Sequence, residues 1–307
     1  MKKFYFFIVL YLPLTFNTEV WSNTTNNEVS CGAETNTSSH LPEMFIYGAD
    51  KKKTYTLKQT DDAIQDLLRV SEDHKGPILI YVHGRALGLI PGYDQEPGES
   101  EKDYLPKLRT YSSQIMMYHW PHHGTATSYP EDDARLAGRD FACVLRKLDA
   151  AITEQGELKA PLFLITHSMG SIVLEESVQA ANKIDLSKFH TVAIFSSASR
   201  IVDSATWLAK IKSQMRYVLA SEHDPILEKL KKFKELKSLG LCGSDCLRES
   251  PLAAEMIYID ISPLGKAGHA YFANGKADAI VSSILKGETP VNLKQGFAPN
   301  IFLAKKK

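Results

Sequence analysis

Short runs of consecutive apolar residues alternate along this chain with longer segments whose apolar positions recur at helical spacing. The runs predict strands at 44–47, 77–83, 114–120, 162–166, 191–195, 216–220 and 256–259; the longer segments predict helices at 57–72, 132–154, 169–183, 204–211, 225–236 and 278–285. Continuous runs such as 78–82 are typical of strands that are buried on both faces. We therefore expect an α/β fold: a mainly parallel, doubly wound sheet of about seven or eight strands with helices on both faces.

The amino terminus has the parts of a secretory signal. Two lysines precede an apolar segment at 4–14, and Val20 and Ser22 occupy the small-residue positions before a cleavage site. These features predict a signal peptide at 1–22. The polar stretch that follows predicts a disordered linker at 23–40, and we expect one folded domain at 41–307. The apolar segment is shorter than the roughly 20 residues of a membrane span. We expect export to the periplasm or the exterior with no integral span after cleavage; the alternative is anchoring by an uncleaved N-terminal segment.

Composition excludes one class of partner. The chain has 307 residues, 44% of them hydrophobic, and 36 basic residues balance 36 acidic ones. This length and apolar content support one large core. A formal net charge of zero leaves no global field that would attract nucleic acid. The sequence does not define an oligomeric state.

The four cysteines have different surroundings. Cys242 and Cys246 are separated by Gly, Ser and Asp, and we expect a local disulfide there; a metal pair and two free thiols are the alternatives. Cys143 lies in a predicted helix and is expected to be a buried small hydrophobe. Cys31 falls in the predicted linker.

The run at 162–166 breaks directly into a motif with a serine. Residues 166–170 read Thr-His-Ser-Met-Gly, and a predicted helix follows. A strand, a sharp turn with an exposed serine and a helix together form a nucleophile elbow, which needs small residues two positions before and after the serine. Gly170 meets that need, whereas Thr166 meets it only in part. A serine that merely caps the helix is the alternative for Ser168.

Two further strand ends carry candidate chemistry. His83-Gly84-Arg85 follows the strand at 77–83, and the backbone amide of Arg85 can join that of Met169 in binding an oxyanion; a plain turn is the alternative. Asp224 follows the strand at 216–220. Its carboxylate is our first choice as the acid that orients a catalytic histidine, or else it caps the next helix. Two other acids remain as alternatives: Asp203 and Glu222.

His269 lies in a loop after the last predicted strand. An imidazole at the carboxyl end of a parallel sheet can remove a proton from the serine and return it to a leaving group. The chain order Ser168, Asp224, His269 is the order of this type of site. His119, His122 and His123 surround Trp120-Pro121 without the spacing of a metal site, so we expect no metal and no cofactor.

Together these features resemble the α/β-hydrolase superfamily, and within it a mostly bacterial branch of serine hydrolases with no assigned substrate. The resemblance runs from 78 to 271. Beyond the three candidate catalytic residues Ser168, Asp224 and His269, it includes Trp120-Pro121, Gly124, Tyr129 and Gly268-His269-x-Tyr271. It implies the α/β-hydrolase fold and a serine hydrolase mechanism. The chain departs from the branch at 85–86, where an aromatic residue and asparagine are common, and at 166, where glycine or alanine is usual.

The resulting prediction is an exported serine hydrolase that cleaves a small ester or thioester through an acyl-enzyme. The alternative is an exported binding or effector protein that uses the fold with little or no activity. The short interval between 195 and 216 leaves little room for a large lid, which favours a small or open acyl site. The insertion at 86–103 carries apolar residues that suit a pocket lining and acidic ones that suit a solvated loop.

Overall fold

The structure is a computed structural model, and it describes residues 31, 42–48, 51–70, 74–85, 104–121, 129–180, 184–234, 237–266, 268–272 and 275–305. The strands are β1 (Glu43–Tyr47), β2 (Lys52–Thr56), β3 (Ile78–Val82), β4 (Gln114–His119), β5 (Leu162–His167), β6 (Phe189–Phe195), β7 (Met215–Ala220), β8 (Ile257–Asp260), β9 (Leu293–Gln295) and β10 (Ile301–Ala304). The helices are α1 (Thr60–Leu68), α2 (Leu105–Arg109), α3 (Glu131–Gln155), α4 (Gly170–Ala180), α5 (Ile201–Leu208), α6 (Pro225–Lys234), α7 (Ser244–Arg248) and α8 (Asp278–Leu285).

All ten strands form one sheet with the order β2-β1-β4-β3-β5-β6-β7-β8-β10-β9. The pairs from β4 to β10 are parallel, and the antiparallel pairs are β2 with β1, β1 with β4, and β10 with β9. The chain leaves β3 toward β4 and then crosses back to β5 on the other side of β3. The strand order therefore reverses at β3 and β5, and open α/β sheets bind ligands beyond the carboxyl ends of the strands at such a point.

Helices cover both faces of the sheet, because the central strands carry apolar side chains on both sides. On one face, Ile80 and Leu164 belong to a cluster with residues of α1, α3, α4, α5 and α6. On the other face, Leu79 and Ile165 pack with residues of α2 and α8. This is the predicted doubly wound arrangement. It fixes the carboxyl ends of β3, β5, β6, β7 and β8 along one edge.

The sheet has ten strands where about seven or eight were expected from the alternation of strands and helices. Of the three additional strands, β2 is mostly exposed and has the sequence KKTYT, so it lacks the apolar run by which a strand is recognised. The other two, β9 and β10, are only three and four residues long and follow the last helix. Two short helices, α2 and α7, were also not predicted.

Two disulfide bonds join the four cysteines. The bond Cys242–Cys246, with a sequence separation of 4, is the predicted local one. The other bond was not predicted. Cys143 is buried as expected, but it is bonded to Cys31 across 112 residues, and Cys31 is itself only 3% exposed. Such a pairing depends on the folded arrangement of distant segments, which the local sequence around either cysteine does not show.

The predicted signal peptide at 1–22 lies outside the described residues, as does the predicted linker at 23–40 apart from Cys31. Both assignments therefore stay predictions. Within the ranges that the structure covers, no helix is both long enough and apolar enough to cross a membrane.

Candidate active site

Ser168 lies at the turn between β5 and α4. Its backbone has φ +53°, in the left-handed region that only small or strained residues adopt. The turn is held at both ends: the Ser168 amide donates to the carbonyl of Phe195 at 3.0 Å, and the hydroxyl of Ser171 donates to the Ser168 carbonyl at 2.7 Å. This strained serine between a buried strand and a helix has the geometry of a nucleophile elbow.

Two glycines allow the elbow and the end of β3 to approach closely. A methyl group at Gly170 would lie 2.4 Å from the carbonyl oxygen of Val82, and one at Gly84 would lie 2.6 Å from Cβ of Ser168. Carbon atoms do not approach oxygen or carbon atoms so closely without displacement. The loop after β3 therefore passes directly over the serine.

Thr166, the larger residue at the first elbow position, is accommodated. It is fully buried in β5 and pairs in register with Val82 and Ile194. Its hydroxyl has no hydrogen-bond partner among the described residues, and an unpaired buried hydroxyl costs free energy. The turn at Ser168 therefore forms with threonine at position 166.

His269 and Asp224 meet at the same edge of the sheet. His269 Nδ1 lies 2.8 Å from Asp224 Oδ2, and the Asp224 side chain is fully buried whereas that of His269 is 16% exposed. The other carboxylate oxygen, Oδ1, accepts the amides of Ile226 and Leu227 at 3.0 Å each. Asp224 therefore caps α6 with one oxygen and binds the imidazole with the other.

The two alternative acids have other surroundings. Asp203 is exposed in the first turn of α5. Burial raises the pKa of the nearby Glu175 carboxyl, and the charge of Asp203 adds a smaller increase. The side chain of Glu222 is 56% exposed, and its Oε1 lies 3.5 Å from Nε2 of His223. Of the three candidate acids, Asp224 is the one that the structure brings to His269.

The candidate oxyanion donors lie on the two sides of the serine. Met169 follows Ser168 directly, so its amide is among the N–H groups that the start of a helix leaves without intrahelical partners. Arg85 follows Gly84 in the loop that crosses the serine, and its side chain is half-buried. Burial lowers the pKa of the Arg85 guanidinium.

Two buried histidines, His83 and His119, hold the segment that carries Gly84 and Arg85. His83 Nδ1 bonds the carbonyl of Gly84, while its Nε2 lies 2.9 Å from His119 Nδ1 and accepts the Trp120 amide at 3.3 Å. The indole N–H of Trp120 donates to the His83 carbonyl at 2.9 Å. His119 therefore bonds another imidazole here. His122 and His123 lie outside the described residues, as do Gly124 and the insertion at 86–103.

His167 is a third buried imidazole, beside the serine. Its ring centroid lies 4.7 Å from that of His269, 5.2 Å from that of Tyr104 and 5.1 Å from that of Phe272. Burial, and next the nearby His269, hold the pKa of His167 well below its ordinary value. His167 is thus kept neutral, and its Nε2–H donates to the carbonyl of His269 at 3.2 Å.

Sequence reasoning gave no role to His167 or to Ser196, and it quoted Tyr271 only within the family resemblance. Ser196 is the first residue after β6, as Ser168 is the first residue after β5, and it too has a positive φ, +48°. Its position at a strand end was the available signal. Nothing in the local sequence indicates that its partners are residues 73 and 75 positions away.

No protein-family model and no curated protein sequence matches the chain. Among solved structures, it is similar to the serine hydrolase CarC, involved in carbazole degradation (10% identity, 80% of this chain and 97% of that chain, TM-score 0.39). It is also similar to an esterase from Pyrobaculum calidifontis (11%, 80% and 83%, 0.37) and to esterase B from Lactobacillus rhamnosis (11%, 78% and 82%, 0.37). Similarity of this degree transfers no activity. The turn of this chain from strand through strained serine to helix, on a mostly parallel sheet with helices on both faces, is that of the α/β-hydrolase fold.

Proposed function

We propose that this chain is an exported serine hydrolase that cleaves a small ester or thioester through an acyl-enzyme intermediate. The observation that carries the proposal is the 2.8 Å bond between Asp224 and His269, whose ring centroid lies 4.7 Å from that of His167, the residue before a serine at φ +53° where the strand order reverses. A buried carboxylate bonded to a partly exposed imidazole next to a strained serine is the arrangement of a nucleophile, its base and the acid that orients the base.

In the first half of the reaction, Ser168 Oγ bonds the carbonyl carbon of the substrate while His269 Nε2 takes the proton of the Ser168 hydroxyl. The carbonyl electron pair moves onto oxygen, and the amides of Met169 and Arg85 stabilise the resulting oxyanion. The pair then reforms the carbonyl and expels the alcohol or thiol, which receives the proton from His269. Asp224 accepts a hydrogen bond from Nδ1–H throughout, without taking the proton, and stabilises the imidazolium.

In the second half, water replaces the serine as the nucleophile. His269 removes a proton from the water, the oxygen bonds the acyl carbon, and the bond to Ser168 breaks with return of the proton to its oxygen. The products are a carboxylic acid and the free enzyme. No cofactor enters this scheme, and the Asp224 bond to the imidazole serves both halves.

A small substrate is supported by the connection between β6 and β7. Its helix, α5, has only eight residues, and half of them are buried against the domain. A short, packed connection leaves little chain to shield a long acyl group. We therefore favour short acyl esters or thioesters over long-chain lipids.

The disulfide bonds support export. All four cysteines are joined in two bonds, one of which ties residue 31 to the core. Disulfides form and persist in oxidising compartments such as the periplasm or the exterior. This agrees with a signal peptide at 1–22, and N-terminal sequencing of the exported protein tests that cleavage.

Purified protein tests the nucleophile directly. A fluorophosphonate probe should label the wild type and turnover of short p-nitrophenyl esters should accompany labelling, whereas Ser168→Ala should lose both. Ser187→Ala is the matched control, because Ser187 is exposed and lies at the start of β6, away from this edge. Labelling that survives in Ser168→Ala would exclude Ser168. Absence of both labelling and turnover in the wild type would favour the binding or effector protein instead.

The acid is tested by a second matched pair. Asp224→Asn should lower kcat by about 10⁴-fold, the usual cost of an asparagine at this position of a triad. Asp203→Asn removes an exposed carboxylate from α5 and should leave kcat unchanged. The reverse pattern would assign the acid to Asp203.

A further inference from the structure

The loop that carries His269 has little conformational restraint of its own. Gly265, Gly268 and Gly275 have φ values of +79°, +76° and +88°, which glycine adopts with ease and loses much entropy in fixing. A glycine-rich loop does not by itself hold an imidazole to the tolerance that proton transfer needs. The position of His269 must therefore depend on contacts with the rest of the domain.

Those contacts converge on the backbone of the loop. The carbonyl oxygen of His269 accepts the Ser196 hydroxyl at 2.7 Å and the His167 Nε2–H at 3.2 Å. The hydroxyl of Tyr271 accepts the Ser196 amide at 2.7 Å and donates to the carbonyl of Leu219 at 2.6 Å. Ser196 and Tyr271 are fully buried, and His167 is 3% exposed. Water does not compete for these bonds.

Ser196 connects the two halves of this network because of its strained backbone. Its φ of +48° turns its amide toward Tyr271 while its hydroxyl points to the His269 carbonyl. A non-glycine residue in this region is strained, because its Cβ crowds the backbone. Gly240 packs on the same turn, since a methyl group there would lie 2.4 Å from the Ser196 carbonyl carbon. Such strain is kept where the surroundings over-determine it.

We propose that Ser196, Tyr271 and His167 form a clamp that positions the base of the proposed hydrolase. The inference rests on the proposed function. The clamp joins the His269 loop to the ends of β5, β6 and β7, and the first and last of these strands lead directly into the nucleophile and the acid. Ser196 and His167 bond the backbone of the loop, and Tyr271 bonds the loop to the ends of β6 and β7. All three are positioning residues, because these bonds do not go to the reacting atoms. The clamp thereby holds the imidazole against Asp224, at the edge of the sheet where Ser168 lies.

Two variants test the clamp, each with a matched control. Tyr271→Phe removes a buried hydroxyl that bonds the Leu219 carbonyl; Tyr118→Phe removes an equally buried hydroxyl that bonds the Ala137 carbonyl at 2.8 Å on the other face of the sheet. Ser196→Ala removes the other link, and its control is Ser177→Ala. Ser177 is fully buried and donates to the carbonyls of Gly138 and Val173, within the packing of α3 and α4.

We expect Tyr271→Phe and Ser196→Ala each to lower kcat for a short p-nitrophenyl ester by about ten- to a hundred-fold, the effect of misplacing a catalytic group by up to 1 Å. KM should change little, because the clamp does not touch the acyl site. The rate of fluorophosphonate labelling should fall in parallel, since it requires the same base. Both control variants should keep kcat and lose as much thermal stability as the clamp variants.

The outcomes separate the clamp from the proposed function. Wild-type turnover that depends on Ser168, combined with unchanged kcat in both clamp variants, would overturn the clamp alone. An equal fall of kcat in clamp and control variants, or a rise in KM without a fall in kcat, would overturn it as well. Absence of Ser168-dependent turnover in the wild type would overturn the proposed function and the clamp with it.

Discussion

Removing the Cys31–Cys143 bond should destabilise this protein much more than removing the Cys242–Cys246 bond. The first closes a loop of 112 residues and the second a loop of 4. In the chain-entropy model a disulfide stabilises by restricting the unfolded chain, and its contribution grows with the logarithm of loop length. That relation gives about 5 kcal/mol for the long loop and about 2 kcal/mol for the short one.

A loss of about 5 kcal/mol is comparable with the whole stability of many domains, which is about 5–15 kcal/mol. We therefore expect Cys31→Ala/Cys143→Ala to be largely or partly unfolded at 37 °C and Cys242→Ala/Cys246→Ala to stay folded. Urea unfolding of the two double variants and the wild type measures the difference. Both variants make the same change of side chain, so the comparison isolates the effect of loop length. Any folded Cys31→Ala/Cys143→Ala should keep the wild-type kcat, because Cys143 lies on α3 and not at the catalytic edge.

Equal losses in the two double variants would refute this reasoning, because loop length would then not decide the contribution. A larger loss from the short loop would also refute it. In that case the Cys242–Cys246 bond would act on the native state, through the segment that leads from Gly240 to α7. The m-value of each unfolding curve must be compared with that of the wild type, since a change in unfolded-state compactness alters the extrapolated free energy.

Two further predictions concern the catalytic edge. Gly84→Ala should lower turnover by at least about tenfold, because its methyl group would lie 2.6 Å from Cβ of Ser168. Gly48→Ala is the control, since its methyl group would meet nothing closer than 3.6 Å. Equal activity in the two variants would contradict the close approach of Gly84 to Ser168. Because the pKa of His167 is depressed in the folded state, the unfolded chain binds its proton more readily, and the free energy of unfolding should fall as pH drops below about 6.5. Thermal unfolding between about pH 7 and pH 5 should show a shallower decline for His167→Gln, and identical slopes would show that another group causes the decline.

The sequence predicted well those elements whose own apolar pattern indicates that they are buried. The strand β3 is a continuous apolar run buried on both faces, β5 and β6 are mostly apolar, and α8 begins and ends at the predicted residues, 278 and 285. In β2 the side chains face solvent at the edge of the sheet, so no apolar pattern marks it. β10 joins the sheet by pairing with β8, where Ile301 lies opposite the distant Tyr258, and β9 joins it only through the neighbouring β10.

The same division holds at the candidate site. Residues at strand ends can be named from sequence, because parallel strands bring their carboxyl ends to one edge. The links that fix those residues cannot be named in this way. Ser196 bonds the carbonyl of His269 from 73 positions away, and Cys31 bonds Cys143 from 112. Four cysteines allow three pairings, and the chain folded in three dimensions selects one.

Asp224 shows why local sequence left two roles open for one residue. A carboxylate just before Pro225 predicts a helix cap, and a carboxylate after β7 predicts the acid of a triad. The structure satisfies both, since Oδ1 accepts hydrogen bonds from the amides of Ile226 and Leu227 and Oδ2 accepts one from His269 Nδ1–H. The cap also fixes the carboxylate plane, so the oxygen that faces the imidazole is oriented by the start of α6. Because asparagine caps helices about as well as aspartate, Asp224→Asn keeps the cap through its single oxygen and places an NH2 donor where Oδ2 faces the imidazole. The variant thus removes both the charge and the acceptor for Nδ1–H, so its effect on kcat measures the chemistry of the acid and not the stability of the helix.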